Sequence, residues 1–344
     1  MTILTTPQAG TRTHGFRVSA FRVKRLTAFG LLMVVLATAC SSGTNSKPDK
    51  TDGSKKDQLV VQVASYDLAV GPPARFIVGL STPDQELVMG GDAAMRFAFL
   101  GTDNASGEGT PGPEVRGTFL AVPPEGEGHE EPKGAEAVPH PPDGAGVFAA
   151  QVAFDKPGFW GVQVGIPKKQ GRPNTGTAVF QVLPKHKVPA PGDDAPRTEN
   201  LVVTSTDAPR EAIDSRAAGD KQVPDPELHS TTIKSAIEGK SPVLAVFATP
   251  TYCVSRFCGP ITDMTSDLSK KYSDRAEFVH VEIWRDKQAN TINKAAAEWL
   301  LRDEDLQEPW VFLIGADGKI MARWDNVATA GEIEPLLQAL PKVS

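Results

Sequence analysis

The stretch that decides the fold runs Ser241-Pro242-Val243-Leu244-Ala245-Val246-Phe247-Ala248-Thr249-Pro250-Thr251-Tyr252-Cys253-Val254-Ser255-Arg256-Phe257-Cys258-Gly259-Pro260. Val243 to Ala248 is a short continuous apolar run, which reads as a buried strand. A turn and two cysteines follow. Beyond them Ile261, Met264, Leu268 and Tyr272 recur at helical spacing, with Ser269-Lys270-Lys271 on the outer side.

Outward from this stretch, more elements alternate. Upstream, Ser230 is expected to cap a short helix carrying Ile233, Ala236 and Ile237, and Gly239 to end it. Downstream, Glu277 to Ile283 reads as a second strand. A helix is expected to start at Asn290 or Thr291 and run through Ala295 to Leu301. Trp310 to Ile314 reads as a third strand, Ala316-Asp317-Gly318-Lys319 as a hairpin turn and Ile320 to Trp324 as the returning strand. Glu332, Ile333, Leu336, Leu337 and Leu340 outline a closing amphipathic helix.

The order helix, strand, cysteine site, helix, strand, helix, hairpin, helix resembles the thioredoxin fold over residues 227–344. Glu308-Pro309-Trp310-Val311-Phe312-Leu313 adds to the likeness, with Pro309 at the position of the family's cis-proline. The resemblance implies a thiol–disulfide oxidoreductase. Cys253 would be the exposed nucleophile, Cys258 the buried resolving cysteine, and the two would form a reversible disulfide. Four residues separate the thiols where thioredoxins have two, so the intervening loop is longer. Residues five apart on one straight helix have Cα atoms about 8.7 Å from each other, and a disulfide spans no more than about 7 Å. Cys253 is therefore expected in a turn before the helix and Cys258 near its start, where Pro260 is tolerated. The helix N-terminus and Arg256 would stabilise a Cys253 thiolate. Tyr252 replaces the family's Trp. Val246 or Ala245 stands where many thioredoxins bury an acid that assists the second thiol.

Three other readings stay open. A peroxiredoxin-like thiol peroxidase is suggested by the cysteine spacing and by Thr249-Pro250, which lies one residue too far upstream. A copper-handling protein of the same fold would need a distant His, and His280 lies inside a buried strand. A structural disulfide in a redox-inactive binding domain is the third.

The chain starts differently. Residues 1–39 hold Arg12, Arg17, Arg22, Lys24 and Arg25 and no acid, followed by an apolar stretch from Leu26 to Ala39. The apolar part is shorter than the roughly 20 residues of a membrane span and reads as a secretory signal. Leu36-Ala37-Thr38-Ala39-Cys40 resembles a bacterial lipobox, which implies cleavage before Cys40, lipid on its thiol, and a place on the extracytoplasmic face of the cell membrane. Residues 40–57 form a Ser, Gly, Lys and Asp tether too polar to fold. Export permits disulfides, and setting Cys40 aside leaves an even pair.

Residues 58–185 read as short strands between Gly and Pro turns, at Leu59–Ala64, Ala74–Leu80, Ala94–Leu100, Val115–Val122, Gly146–Phe154, Gly158–Ile166 and Thr177–Leu183. Asp155-Lys156-Pro157-Gly158 has the composition of a hairpin turn. The pattern is similar to an immunoglobulin-like β-sandwich. The expected fold class is thus an all-β immunoglobulin-like sandwich followed by an α/β thioredoxin-like domain, joined by a Pro-rich linker over 186–226. The loop 123–144 holds His129 and His140 at no recognisable ligand spacing and reads as solvated, so neither a metal nor a cofactor is expected. Without the signal, 31 basic residues face 42 acidic ones, a net charge of −11. That balance argues against nucleic acid. The expected partners are exported protein thiols or disulfides, and the membrane through the lipid anchor.

Overall fold

The computed structural model describes residues 58–103, 109–122, 138–140, 145–219, 221–253 and 257–343, which are mostly β-sheet with few helices. The signal, Cys40, His129 and Arg256 lie outside the described residues, and His140 is described for its backbone alone.

The first portion is one nine-stranded antiparallel sheet. Its strands are β1 (Val60–Val63), β2 (Ala74–Ser81), β3 (Leu87–Met89), β4 (Asp92–Gly101), β5 (Thr110–Val122), β6 (Val138–His140), β7 (Ala145–Val152), β8 (Gly158–Ile166) and β9 (Asn174–Val182). The order is β6-β3-β2-β7-β5-β4-β8-β9, with β1 added to β2. The long strand β5 is the switch between layers: its first half pairs with β4, and Thr118 to Val122 pairs with β7. The sheet then folds over, because Phe76 of β2 meets Phe97 of β4 and Phe180 of β9 at ring-centroid distances of 5.0 Å each. The fold-over brings Leu59 against β9, where its N–H donates to the Thr175 carbonyl at 2.8 Å. Gly176 is required there, since a Cβ would lie 2.3 Å from the Leu59 carbonyl oxygen.

The Asp155–Gly158 turn departs from expectation. Gly158 does take a positive φ of 132°, but the strands it joins are not neighbours. β7 pairs with β2 and β5, while β8 pairs with β4 and β9. The turn crosses between layers, and the Trp160 indole N–H donates to the Lys156 carbonyl at 3.0 Å to hold it. β3 and β6 are three-residue strands, β6 at the sheet edge and β3 between it and β2, that gave no pattern in the sequence.

The second portion is a four-stranded sheet ordered β11-β10-β14-β15, built from β10 (Val243–Ala248), β11 (Glu277–Glu282), β14 (Trp310–Ile314) and β15 (Ile320–Asp325). β10 and β11 run parallel, as a helical crossover demands; the other pairs are antiparallel. Helices α1 (Ile233–Glu238), α2 (Cys258–Tyr272), α3 (Lys294–Leu300) and α4 (Ala330–Ala339) cover both faces. The period of two along β10 divides the core. Val243, Ala245 and Phe247 pack with Ile237 and Trp299, while Leu244, Val246 and Ala248 pack with Ile261, Leu268 and Ile333. Every residue of β10 is therefore buried, which is why the strand reads as an unbroken apolar run. No described helix is long and apolar enough to cross a membrane.

Two helix starts differ from expectation. Thr232, not Ser230, caps α1 by accepting the Ser235 N–H at 3.0 Å; the Ser230 hydroxyl instead donates to the Glu227 carbonyl. α3 begins at Lys294, because β13 (Thr291–Ile292) pairs back on β12 (Trp284–Asp286) and holds residues 291 and 292 extended.

Residues 186–219 lie against the second portion. Val188 and Ala195 enter its core, and Gly192 and Asp193 bond to the backbone of Ile320 on the edge strand. Short 3-10 turns at Arg210–Ala212 and Ser215–Ala217 bury Ile213, Asp214 and Ser215. The two portions belong to one unit, Asp52–Ser344. Ile77 of β2 packs on Val327, and Arg75 reaches Glu332 at 2.7 Å. Two-sided burial explains why Phe76, Ile77 and Val78 are all fully buried.

Candidate functional site

β10 delivers the chain to the cysteines. Its last residue, Ala248, is followed by Thr249 in the core and by a turn in which Thr251 and Tyr252 are exposed. Cys253 lies in that turn, half-buried, and Cys258 is the first residue of α2, at 0% exposure. The two are joined by a disulfide with their Cα atoms 6.0 Å apart. That separation is shorter than the roughly 8.7 Å of residues five apart on one straight helix, in keeping with α2 starting at Cys258. Cys253 is therefore the more accessible residue of the pair. Phe257 packs both on the core that holds Cys258 and on the cluster formed by Ile77, Val122, Val147 and Val327. Phe257, just before α2, thus links the buried cysteine's core to the β-rich portion.

The Glu308–Pro309 peptide is cis, and Pro309 is buried at the start of β14. Glu308 is the residue that the sequence reading overlooked. Its carboxylate accepts the Thr249 N–H at 2.9 Å, and the same oxygen lies 3.9 Å from Cys258 Sγ. Its backbone carbonyl accepts the Tyr66 hydroxyl at 2.9 Å. Burial, reinforced by the nearby charge of Glu282, pushes Glu308 up to about 8. At neutral pH it mostly carries a proton, next to the buried sulfur.

Behind this group lies a buried polar layer. Glu282 accepts the Ser215 N–H at 2.8 Å and the Trp284 N–H at 3.2 Å, and burial raises its pKa. The Ser215 hydroxyl accepts the Thr251 N–H at 3.1 Å, tying the base of the cysteine turn to the 3-10 segment. One residue back, Asp214 lies with His229 and His280, all at 0–1% exposure. Burial alone would raise Asp214, but the two imidazoles and the Arg216 guanidinium hold it well below the carboxylate range.

No family model and no curated protein matches the sequence. What the site can do follows from its own geometry.

The structure brings Cys253 and Cys258 together, with the carboxyl side chain of Pro309's neighbour against the second sulfur. Val246 and Ala245 are apolar core residues, as their types require. The acid beside the second sulfur comes instead from the residue before Pro309, a strand away. Glu308 sits in the quoted Glu-Pro-Trp stretch, and an acid directly before a buried apolar strand was the signal available. Asp214 and His229 had none, since the first lies in a Pro-rich stretch and the second in a one-turn 3-10 helix.

Proposed function

We propose that the protein is a membrane-anchored, extracytoplasmic thiol–disulfide oxidoreductase of thioredoxin-like type, working through Cys253 and Cys258. The observation that carries it is the Cys253–Cys258 disulfide, with Cys253 half-buried and Cys258 buried and a proton-bearing Glu308 carboxyl 3.9 Å from the second sulfur. The order of elements and the mixed sheet in 227–344 support a thioredoxin-like domain. The folded-over sheet of 58–185 supports an immunoglobulin-like sandwich. The basic, apolar, small-residue start ending at Cys40 supports the lipid anchor.

In the oxidised chain, a substrate thiolate attacks Cys253 Sγ. A bond forms between the substrate sulfur and Cys253 as the Cys253–Cys258 bond breaks. The electron pair leaves on Cys258 Sγ, which takes the proton held by Glu308. A second substrate thiolate then displaces Cys253, so the substrate departs as a disulfide and the chain keeps two electrons. Run backwards, the same steps reduce a substrate disulfide, and the ionised Glu308 accepts the Cys258 proton. In both directions Glu308 spares the apolar pocket an unprotonated thiolate, whose burial is costly.

The test is capture. Cys258→Ser in the full chain is expected to accumulate mixed disulfides with exported proteins through Cys253, and Cys253→Ser to accumulate none. If both variants lose stability and neither captures a partner, the disulfide is a staple and the domain a binding module.

A further inference from the structure

Asp214, His229 and His280 have no part in the thiol chemistry. Their candidate donor atoms all lie within 4.8 Å of one another. They come from three separate segments: the N-cap of the 3-10 turn Ser215–Ala217, the 3-10 helix Pro226–His229, and strand β11. We propose that these three side chains form a binding site for one divalent transition-metal ion of the zinc type.

The hydrogen bonds present fix the orientation of the ligands. His280 Nε2 lies 3.0 Å from the Ala248 carbonyl, so that nitrogen carries the proton and donates it. In the neutral imidazole the lone pair of His280 Nδ1 is then directed at Asp214 Oδ2, 3.3 Å away, an acceptor facing an acceptor. His229 Nε2 lies 3.5 Å from the same oxygen. Neither approach has hydrogen-bonding geometry, and Nδ1 and Nε2 of His229 and Nδ1 of His280 have no hydrogen-bond partner. Buried polar atoms without partners are rare, and each one costs free energy. A proton on His280 would serve one of these atoms and leave His229 unserved. One cation between the three residues serves His229 Nε2, His280 Nδ1 and the Asp214 carboxylate together.

Two of the three edges have the right dimensions. Ligands about a tetrahedral zinc ion at bond lengths of about 2.0–2.1 Å are about 3.3–3.4 Å apart; the His280–Asp214 and His229–Asp214 edges are 3.3 and 3.5 Å, and the third lies within 4.8 Å. The outer partners of His280 and Asp214 have the expected form too, while His229 Nδ1 keeps no partner. A ligating His donates its other N–H to a carbonyl, and a ligating carboxylate is itself hydrogen-bonded. Ala248 supplies the first, and Arg216 the second, through Nε to Oδ1 at 3.0 Å and Nη2 to Oδ2 at 2.7 Å. Two imidazoles and one carboxylate suit zinc over magnesium or calcium. Such an ion would pin Asp214, and with it Ser215, under the cysteine turn.

The site is closed, so the ion is loaded during folding. The full chain, oxidised, is refolded with and without zinc, exchanged into metal-free buffer, and its zinc content measured. About one retained equivalent is expected, with X-ray absorption reporting two imidazoles and no sulfur on the ion. His229→Gln and Asp214→Asn are expected to abolish retention, and His129→Gln with His140→Gln to leave it unchanged. Should a core variant fail to fold, the absorption spectrum of the native chain still decides. Substoichiometric zinc in the native chain, a sulfur-ligated ion, or an ion lost with His129 and His140 would overturn the proposal.

Discussion

Replacing Glu308 by Gln removes a proton-binding group while keeping an oxygen to accept the Thr249 N–H. An unfolded glutamate titrates at its ordinary value of 4.5, whereas burial and Glu282 hold the folded Glu308 at about 8. Between those values folding takes up a proton, so the stability this group contributes is full below 4.5 and is lost as pH rises through 8. The gap corresponds to at most about 5 kcal/mol. Glu308 keeps some solvent contact, and the part lost between about pH 5 and about pH 8 is about 3 kcal/mol. Urea unfolding of the oxidised full chain across that range, for wild type and Glu308→Gln, reads it directly. The wild type is expected to lose about 3 kcal/mol more than the variant as pH rises, with unchanged m-values. The slope that Glu282 adds in the same direction remains in both proteins. Parallel curves would mean that Glu308 titrates as an ordinary carboxylate, and the proton-transfer role assigned to it would fall.

Arg75 is 8% exposed and bridges the portions, reaching Glu332 at 2.7 Å and Asp325 at 3.7 Å. Arg75→Met leaves the partly buried Glu332 and the buried Asp325 without their guanidinium and is expected to cost about 3 kcal/mol by denaturant titration; a loss below about 0.5 kcal/mol, as for an exposed pair, would contradict this. For the anchor, Cys40→Ser is expected to block maturation and shift the protein from the membrane fraction to the soluble one. Unchanged fractionation would remove the lipid.

Much of the second portion was legible because its signals are local. Val243 to Ala248 has six apolar residues in a row, and it forms a strand with those bounds. Ile261, Leu268 and Tyr272 share one face of α2 and bury it. Residues 291 and 292 were misread as helix because nothing in their own types reveals that Thr291 and Ile292 pair back on Trp284–Asp286. The Asp155–Gly158 turn was misread for a related reason. Turn composition fixes the local backbone, but which strands become neighbours depends on how the whole sheet folds over.

The sequence by itself determined the β-rich first portion, the alternation of strands and helices after residue 230, and the placing of Cys253 ahead of a helix that starts near Cys258. Each follows from periodicity, turn chemistry or covalent reach, which act over a few residues. Only the tertiary structure decided that Glu308 lies against Cys258 Sγ, fifty residues away in the chain, and that Asp214, His229 and His280 share one buried point. Charge inside a protein is set by what surrounds it. Glu308 reads as an ordinary surface acid until β14 packs beside β10 and excludes water from it.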